Sequence, residues 1–65
     1  DGLLKITKVI YNSSKLIKKN GVLILEIAFN QTDKVKKILK KNGYYIKDVI
    51  KDLADNDRCI VSIKK

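Results

Sequence analysis

Apolar side chains recur along the chain first at the spacing of a helix and then at that of a strand. From Leu3 to Ile17 the positions Leu3, Ile6, Val9, Ile10, Leu16 and Ile17 return at three- and four-residue intervals, with Lys5, Lys8 and Lys15 between them. That pattern predicts an amphipathic helix. Lys18-Lys19-Asn20-Gly21 should end it, since cations suit the negative end of a helix dipole and glycine supplies a left-handed cap. Val22 to Phe29 then reads VLILEIAF, the nearly continuous apolar run of a strand covered on both faces. Glu26 interrupts it. A buried, unpaired carboxylate costs on the order of several kcal/mol, so Glu26 must either lie at a polar end of the strand or be answered by a partner.

Asn30 is placed to cap a second helix, with Asp33 three residues later in the capping-box position. Val35, Ile38 and Leu39 mark the inner face of that helix. Lys36, Lys37, Lys40 and Lys41 gather toward its end, where Asn42-Gly43 repeats the ending of the first. Tyr44 to Lys51 (YYIKDVIK) alternates imperfectly but is rich in β-branched and aromatic residues, which predicts a strand with one partly wet face. Asp52 to Asp57 (DLADND) is a turn by composition. Arg58 to Ile63 (RCIVSI) is a short strand with Cys59, Val61 and Ile63 on one face and Ile60 on the other.

The order helix, strand, helix, strand, strand predicts one α/β unit spanning residues 1–65. Its strand-helix-strand portion should run parallel, and its short last turn should make the final two strands antiparallel neighbours. The expectation is a three-stranded mixed sheet. A parallel strand as apolar as Val22 to Phe29 wants neighbours on both edges and cover on both faces, more than this chain has elements to provide. The pattern is that of a piece of an α/β domain.

Sixty-five residues bury only about 60% of the surface the unfolded chain exposes, so stability should be marginal. One cysteine allows no intrachain disulfide, and without histidine the usual zinc and Cys/His catalytic sets cannot be assembled. A reducing, cytoplasmic location is expected. No apolar run reaches the roughly eighteen residues of a membrane span, and the first residues lack the regions of a signal peptide, so no membrane partner is expected. Asp1 in place of Met suggests a processed product or an excised piece.

The net charge of +8 raises nucleic-acid binding, because clustered cations gain affinity by releasing phosphate counterions. Of the fifteen basic residues only Arg58 is an arginine, and lysine is the poorer bidentate ligand for phosphates and bases. A solvated lysine surface is the expectation, and nucleic acid is not the expected partner. The unpaired edge of a buried strand makes self-association a further expectation.

A search for catalytic groups returns little. No glycine-rich phosphate loop is present, and Asn20-Gly21 and Asn42-Gly43 follow helices instead of opening them. Ser13 and Ser14 have no histidine to act as base, Cys59 reads as a small buried hydrophobe, and Asp52, Asp55 and Asp57 lack the glycine and terminal glutamate of a calcium loop. No catalytic, cofactor-binding or metal residue is assigned. Glu26 remains, near the C-terminal end of its strand, where ligands of open α/β sheets bind, with Asn30 and Gln31 expected to face the same crevice. The competing role for Glu26 is to accept hydrogen bonds that hold strand end and helix start in register.

DGL at Asp1 to Leu3, KKNGVLILEIAFNQ, a helix ending KKNGYY, and KDLADNDRCIV at Lys51 to Val61 resemble, in order, the C-terminal part of the PrmC/HemK family. The resemblance covers the whole chain, and the pair LEIAFNQ and KDLADNDR is its most specific part. It implies an S-adenosylmethionine-dependent enzyme that methylates the glutamine amide of the GGQ motif in peptide chain release factors. It also implies a Rossmann-like, doubly wound sheet of seven strands in which the last is antiparallel and inserted between the fifth and sixth. The glycine-rich cofactor loop and the NPPY motif, which hold the cofactor and the glutamine amide in that family, would precede Asp1. The 65 residues are therefore expected to bind no S-adenosylmethionine and to be inactive alone. Two departures stand out, Ala28 and Asp55, where the family usually has glycine; the second suggests a differently shaped turn.

Overall fold

The computed structural model describes residues 2–65; Asp1, the first residue of the DGL match, lies outside the described residues. The chain forms helix α1 (Gly2–Leu16), strand β1 (Val22–Glu26), a 3-10 turn (Phe29–Gln31), helix α2 (Thr32–Lys41) and strands β2 (Tyr44–Lys51) and β3 (Asp57–Lys64). The predicted order holds, with helix and strand ends displaced by a residue or two except after β1. No described helix is long and apolar enough to cross a membrane.

The two lysine-rich turns end their helices differently. After α1 the left-handed residue is Asn20 (φ 70°), not Gly21 as expected. Gly21 is needed for space: a Cβ there would collide with the Ile17 side chain and lie 2.9 Å from the Lys18 carbonyl oxygen. After α2, Gly43 does take the left-handed conformation (φ 86°), and the Asn42 side-chain amide donates to the Ile38 carbonyl at 2.8 Å. The orphan carbonyls of that last turn are thereby satisfied.

The strands lie in the order β1-β3-β2, and both ladders are antiparallel. The expected mixed sheet is corrected in this respect. β1 and β2 run the same way, as a strand-helix-strand unit requires, but they are not neighbours. The α2 crossover leaves a gap one strand wide, and the short loop after β2 turns β3 back into it. The last strand is central and antiparallel, as the resemblance implies.

Register assigns the faces. Leu23 and Leu25 lie opposite Ser62 and Ile60, and with Tyr44, Ile46 and Val49 of β2 they form the face under the helices. There Ile10, Leu25, Ile27, Val35, Leu39, Tyr44 and Ile60 make the buried core. Polar groups in this layer are answered: the Ser62 hydroxyl donates to the Leu23 carbonyl at 2.8 Å, and the Tyr44 hydroxyl lies 3.0 Å from that of Ser13. A bulge explains the imperfect alternation of β2. Ile46 faces Ser62 but Asp48 faces Val61, so Lys47 is the extra residue. It turns Val49 inward and keeps Asp48 out of the core.

The opposite face is built of three cross-strand rows, Val22–Ile63–Tyr45, Ile24–Val61–Asp48 and Glu26–Cys59–Ile50. No helix of the chain covers it. Ile24 is 60% exposed and Val22 53%, with Ile50 and Tyr45 nearly half exposed. The expectation that β1 is covered on both faces is therefore corrected: one face is buried and the other is bare. Cys59, expected to be buried, is only half-buried in this layer for the same reason.

A one-sided core makes a paired prediction. Leu39→Ala removes a fully buried side chain and should lower unfolding free energy by about 2–5 kcal/mol. Ile24→Ala, on the bare face, should change it by less than about 1 kcal/mol. Urea unfolding followed by circular dichroism reads both, and equal losses would contradict the asymmetry.

Candidate functional site

β1 stops at Glu26, three residues short of the expected end. Ile27 continues the ladder by one bond, its N–H donating to the Arg58 carbonyl at 2.8 Å, and then turns its side chain into the core. Ala28 is extended (φ −78°, ψ 144°), a conformation any residue adopts, so alanine serves here where the family usually has glycine. Phe29 begins the 3-10 turn and is exposed. Glu26 thus sits at the end of its strand, on the bare face, exposed and opposite Cys59. Of the two ways to accommodate that carboxylate, the polar strand end is the one realised. Its side chain makes no hydrogen bond or ion pair among the described residues, so it does not hold the strand and helix in register.

Other residues do that. The Gln31 side-chain oxygen accepts from the Ala28 N–H at 3.2 Å, while the Gln31 N–H donates to the Ala28 carbonyl at 2.9 Å. Gln31 is therefore folded back on its own turn, and a Cβ on Gly2 would lie 3.4 Å from its side-chain nitrogen. Asn30, expected as the N-cap of α2, lies within the 3-10 turn; the residue before the helix is Gln31, which makes no side-chain cap bond. A 3-10 turn moves the helix start one residue along and takes Asn30 out of the capping position. Asp33 keeps a helix-start role, in the first turn of α2 where the dipole favours an acid.

Asn30 is exposed and lines a hollow of about 350 Å³ together with Phe29, Thr32, Asp33, Lys34 and Asp57. The buried Thr32 hydroxyl donates to the Asp57 carboxylate at 2.6 Å, joining the start of α2 to the start of β3. Sequence reading placed Asp57 in a solvated turn and missed this link. The only signal for it was an acid at the last position of a turn leading into a strand. Glu26 is the last residue of β1 and Asn30 lies beyond it, while Gln31 is engaged locally.

The Asp52–Asn56 loop beside the hollow is organised by one carboxylate. Asp52 accepts from the Ala54 and Asn56 N–H groups at 2.9 Å each and from the Arg58 guanidinium at 2.7 Å. Lys51 lies 3.8 Å from Asp55 and 3.7 Å from Asp57. Asp55 has φ 66°, a conformation that glycine favours and aspartate tolerates. No group of three or more metal-ligating acids or cysteines forms among the described residues.

The Asn56 N–H first, then Arg58 and the Ala54 N–H, hold the Asp52 carboxyl below the ordinary aspartate range, with partial burial opposing them. A depressed folded-state value means that the stabilisation is fully present above the unfolded value and is lost as pH falls through the folded one. Carboxyl NMR should show Asp52 titrating below the usual range, and Arg58→Gln should move it upward. Titration at or above the ordinary value would contradict the loop geometry.

In sequence, the chain aligns with short stretches of methyltransferases. The chain is 40% identical over 60 residues to a bifunctional methyltransferase of Rickettsia bellii, covering 92% of the chain and 11% of that protein. It is 36% identical over 64 residues to a release factor glutamine methyltransferase of Fusobacterium nucleatum, covering 98% of the chain and 18% of that protein. A protein of the same name from Haemophilus influenzae aligns over the whole chain at 29% identity. The chain is homologous to a segment of these methyltransferases, and the alignments support its reading as a C-terminal fragment of a PrmC family protein. It spans only 11–22% of the length of the curated relatives it matches. No family model and no solved structure matches it.

Proposed function

We propose that these 65 residues are the closing segment of an S-adenosylmethionine-dependent methyltransferase that modifies the glutamine amide of the GGQ motif in peptide chain release factors. The observation that carries this reading is the alignment of nearly the whole chain with proteins named for that activity. The strand order supports it: a last strand inserted antiparallel between two co-directional strands is the arrangement the resemblance implies for the end of a seven-stranded, Rossmann-like sheet. The bare face and the open edge of β1 supply the surfaces on which the rest of such a sheet and its helices would pack.

In this reading the cofactor is held by residues outside this chain. A Cβ on Gly21 would meet the preceding helical turn, and Gly43 ends α2, so neither glycine opens a cradle at a helix N-terminus. The role proposed for the segment is architectural. It completes the sheet and walls one side of the crevice, with Glu26 and Asn30 at its margin. The parent enzyme would act in the cytoplasm, during translation termination.

Two measurements test this. Calorimetric titration of the isolated chain with S-adenosylmethionine should give no heat of binding, and micromolar affinity would overturn the assignment of the cofactor site to other residues. The full-length protein incubated with release factor and S-adenosylmethionine should add one methyl group to the GGQ glutamine, read by peptide mass spectrometry. A folded full-length protein that leaves this glutamine unmodified would remove the reading.

A further inference from the structure

Charge is segregated along the sheet. The turns after α1 and α2 and the end of β3 meet at one end of the molecule. There the Asn20 N–H donates to the Lys64 carbonyl at 2.8 Å, the Lys64 N–H to the Gly21 carbonyl at 2.8 Å, and the Lys65 N–H to the Gly43 carbonyl at 2.9 Å. These bonds bring together the exposed side chains of Lys18, Lys19, Lys40, Lys41 and Lys65. None of the five forms an ion pair among the described residues. Lys64 is half-buried, its ammonium 5.8 Å from the centre of the Tyr44 ring.

The balancing acids are elsewhere. Glu26 and Asp48 lie four residue steps, about 13 Å, along β1 and β2, Asp33 lies at the start of α2, and Asp52, Asp55 and Asp57 lie at the far end of the β2–β3 hairpin, seven residue steps or about 23 Å along the strands. The latter distance is more than two screening lengths of about 8 Å at physiological salt. The two helix C-termini at the lysine end contribute about half a negative charge each, roughly one against five. The end keeps a large positive excess. The sequence suggested a solvated lysine surface; the fold gathers part of it at one end.

We infer that this end is a docking surface for the phosphate backbone of a nucleic acid. The residues between the lysines in the two turns are Asn20, Gly21, Asn42 and Gly43, and the exposed Leu16 and Val22 flank the first turn, so cations and small polar groups make up the turns themselves. Beside them, Lys37, Lys40 and Lys41 line a hollow of about 540 Å³ around Ile38. Lysine point charges without arginine forks suit phosphates contacted without base recognition. The surface lies at the opposite end of β1 from Glu26, so it is separate from the proposed crevice.

The test uses the whole chain with a fluorescent twenty-nucleotide oligouridylate, anisotropy being read across salt concentrations. Five phosphate contacts to a single strand give a slope of log affinity against log salt of about −3.5. A variant carrying Lys18→Gln, Lys19→Gln, Lys40→Gln and Lys41→Gln should bind at least tenfold more weakly, with a slope shallower by two or more units. A variant of equal net charge, with Lys5→Gln, Lys8→Gln, Lys34→Gln and Lys47→Gln, should stay within threefold of the parent. Circular dichroism verifies that both keep the fold. Equal losses in the two variants, absence of binding by the parent chain, or equally tight binding of a polyglutamate peptide would each overturn the inference.

Discussion

β3 is hydrogen-bonded along both of its edges, to β1 from Val22↔Ile63 to Glu26↔Cys59 and to β2 from Tyr44↔Lys64 to Lys51↔Asp57. Its register decides which side chains of all three strands share a face, because a slip of one residue would exchange the core layer for the bare one. Ile60 and Ser62 are fully buried on the helix side, and Ser62 is tolerated there because its hydroxyl reaches the Leu23 carbonyl. The ends of β3 fix the two ends of the molecule: Asp57 holds the start of α2 through Thr32, and Lys64 and Lys65 gather the turns that follow both helices.

One covered face and one bare face follow from this arrangement and a short chain. Both helices pack on the Ile60 side, and no element remains for the Ile24 side. The uncovered layer exposes Val22, Ile24, Tyr45 and Ile50 beside Asp48 and Glu26, with only Ile63 of its central strand buried, and β1 has an unpaired edge next to it, so the surface calls for further sheet and further cover. The match to a short stretch of much longer methyltransferases is consistent with where that cover would come from.

Much of this was legible in the sequence, and the misreadings have local causes. The helices were found because their periodicities are strong and end in lysine-Asn-Gly, and β2 because it follows the second of these endings and is rich in β-branched and aromatic residues. The end of β1 was not, because Ile27, Ala28 and Phe29 prolong the apolar run. Ile27 is apolar for the core, whereas Phe29 stands exposed in a 3-10 turn, and hydrophobicity cannot separate the two. The bulge at Lys47 was visible only as an imperfect alternation. The strand order required knowing which gap β3 fills, which pairing rules left open and the family resemblance supplied. For Glu26 the sequence left open a polar strand end or an answering partner, and the strand end is the one realised. Gln31 could not be separated from Asn30, because its fold-back onto Ala28 depends on the 3-10 turn.

The fold leaves one side of the sheet in solvent. Methyl NMR of the dilute chain with a soluble paramagnetic agent measures this side by side. The Ile24 and Ile50 methyl signals should broaden strongly, while those of Ile10 and Ile60 stay sharp. Equal protection of all four in a chain shown to be monomeric would contradict it.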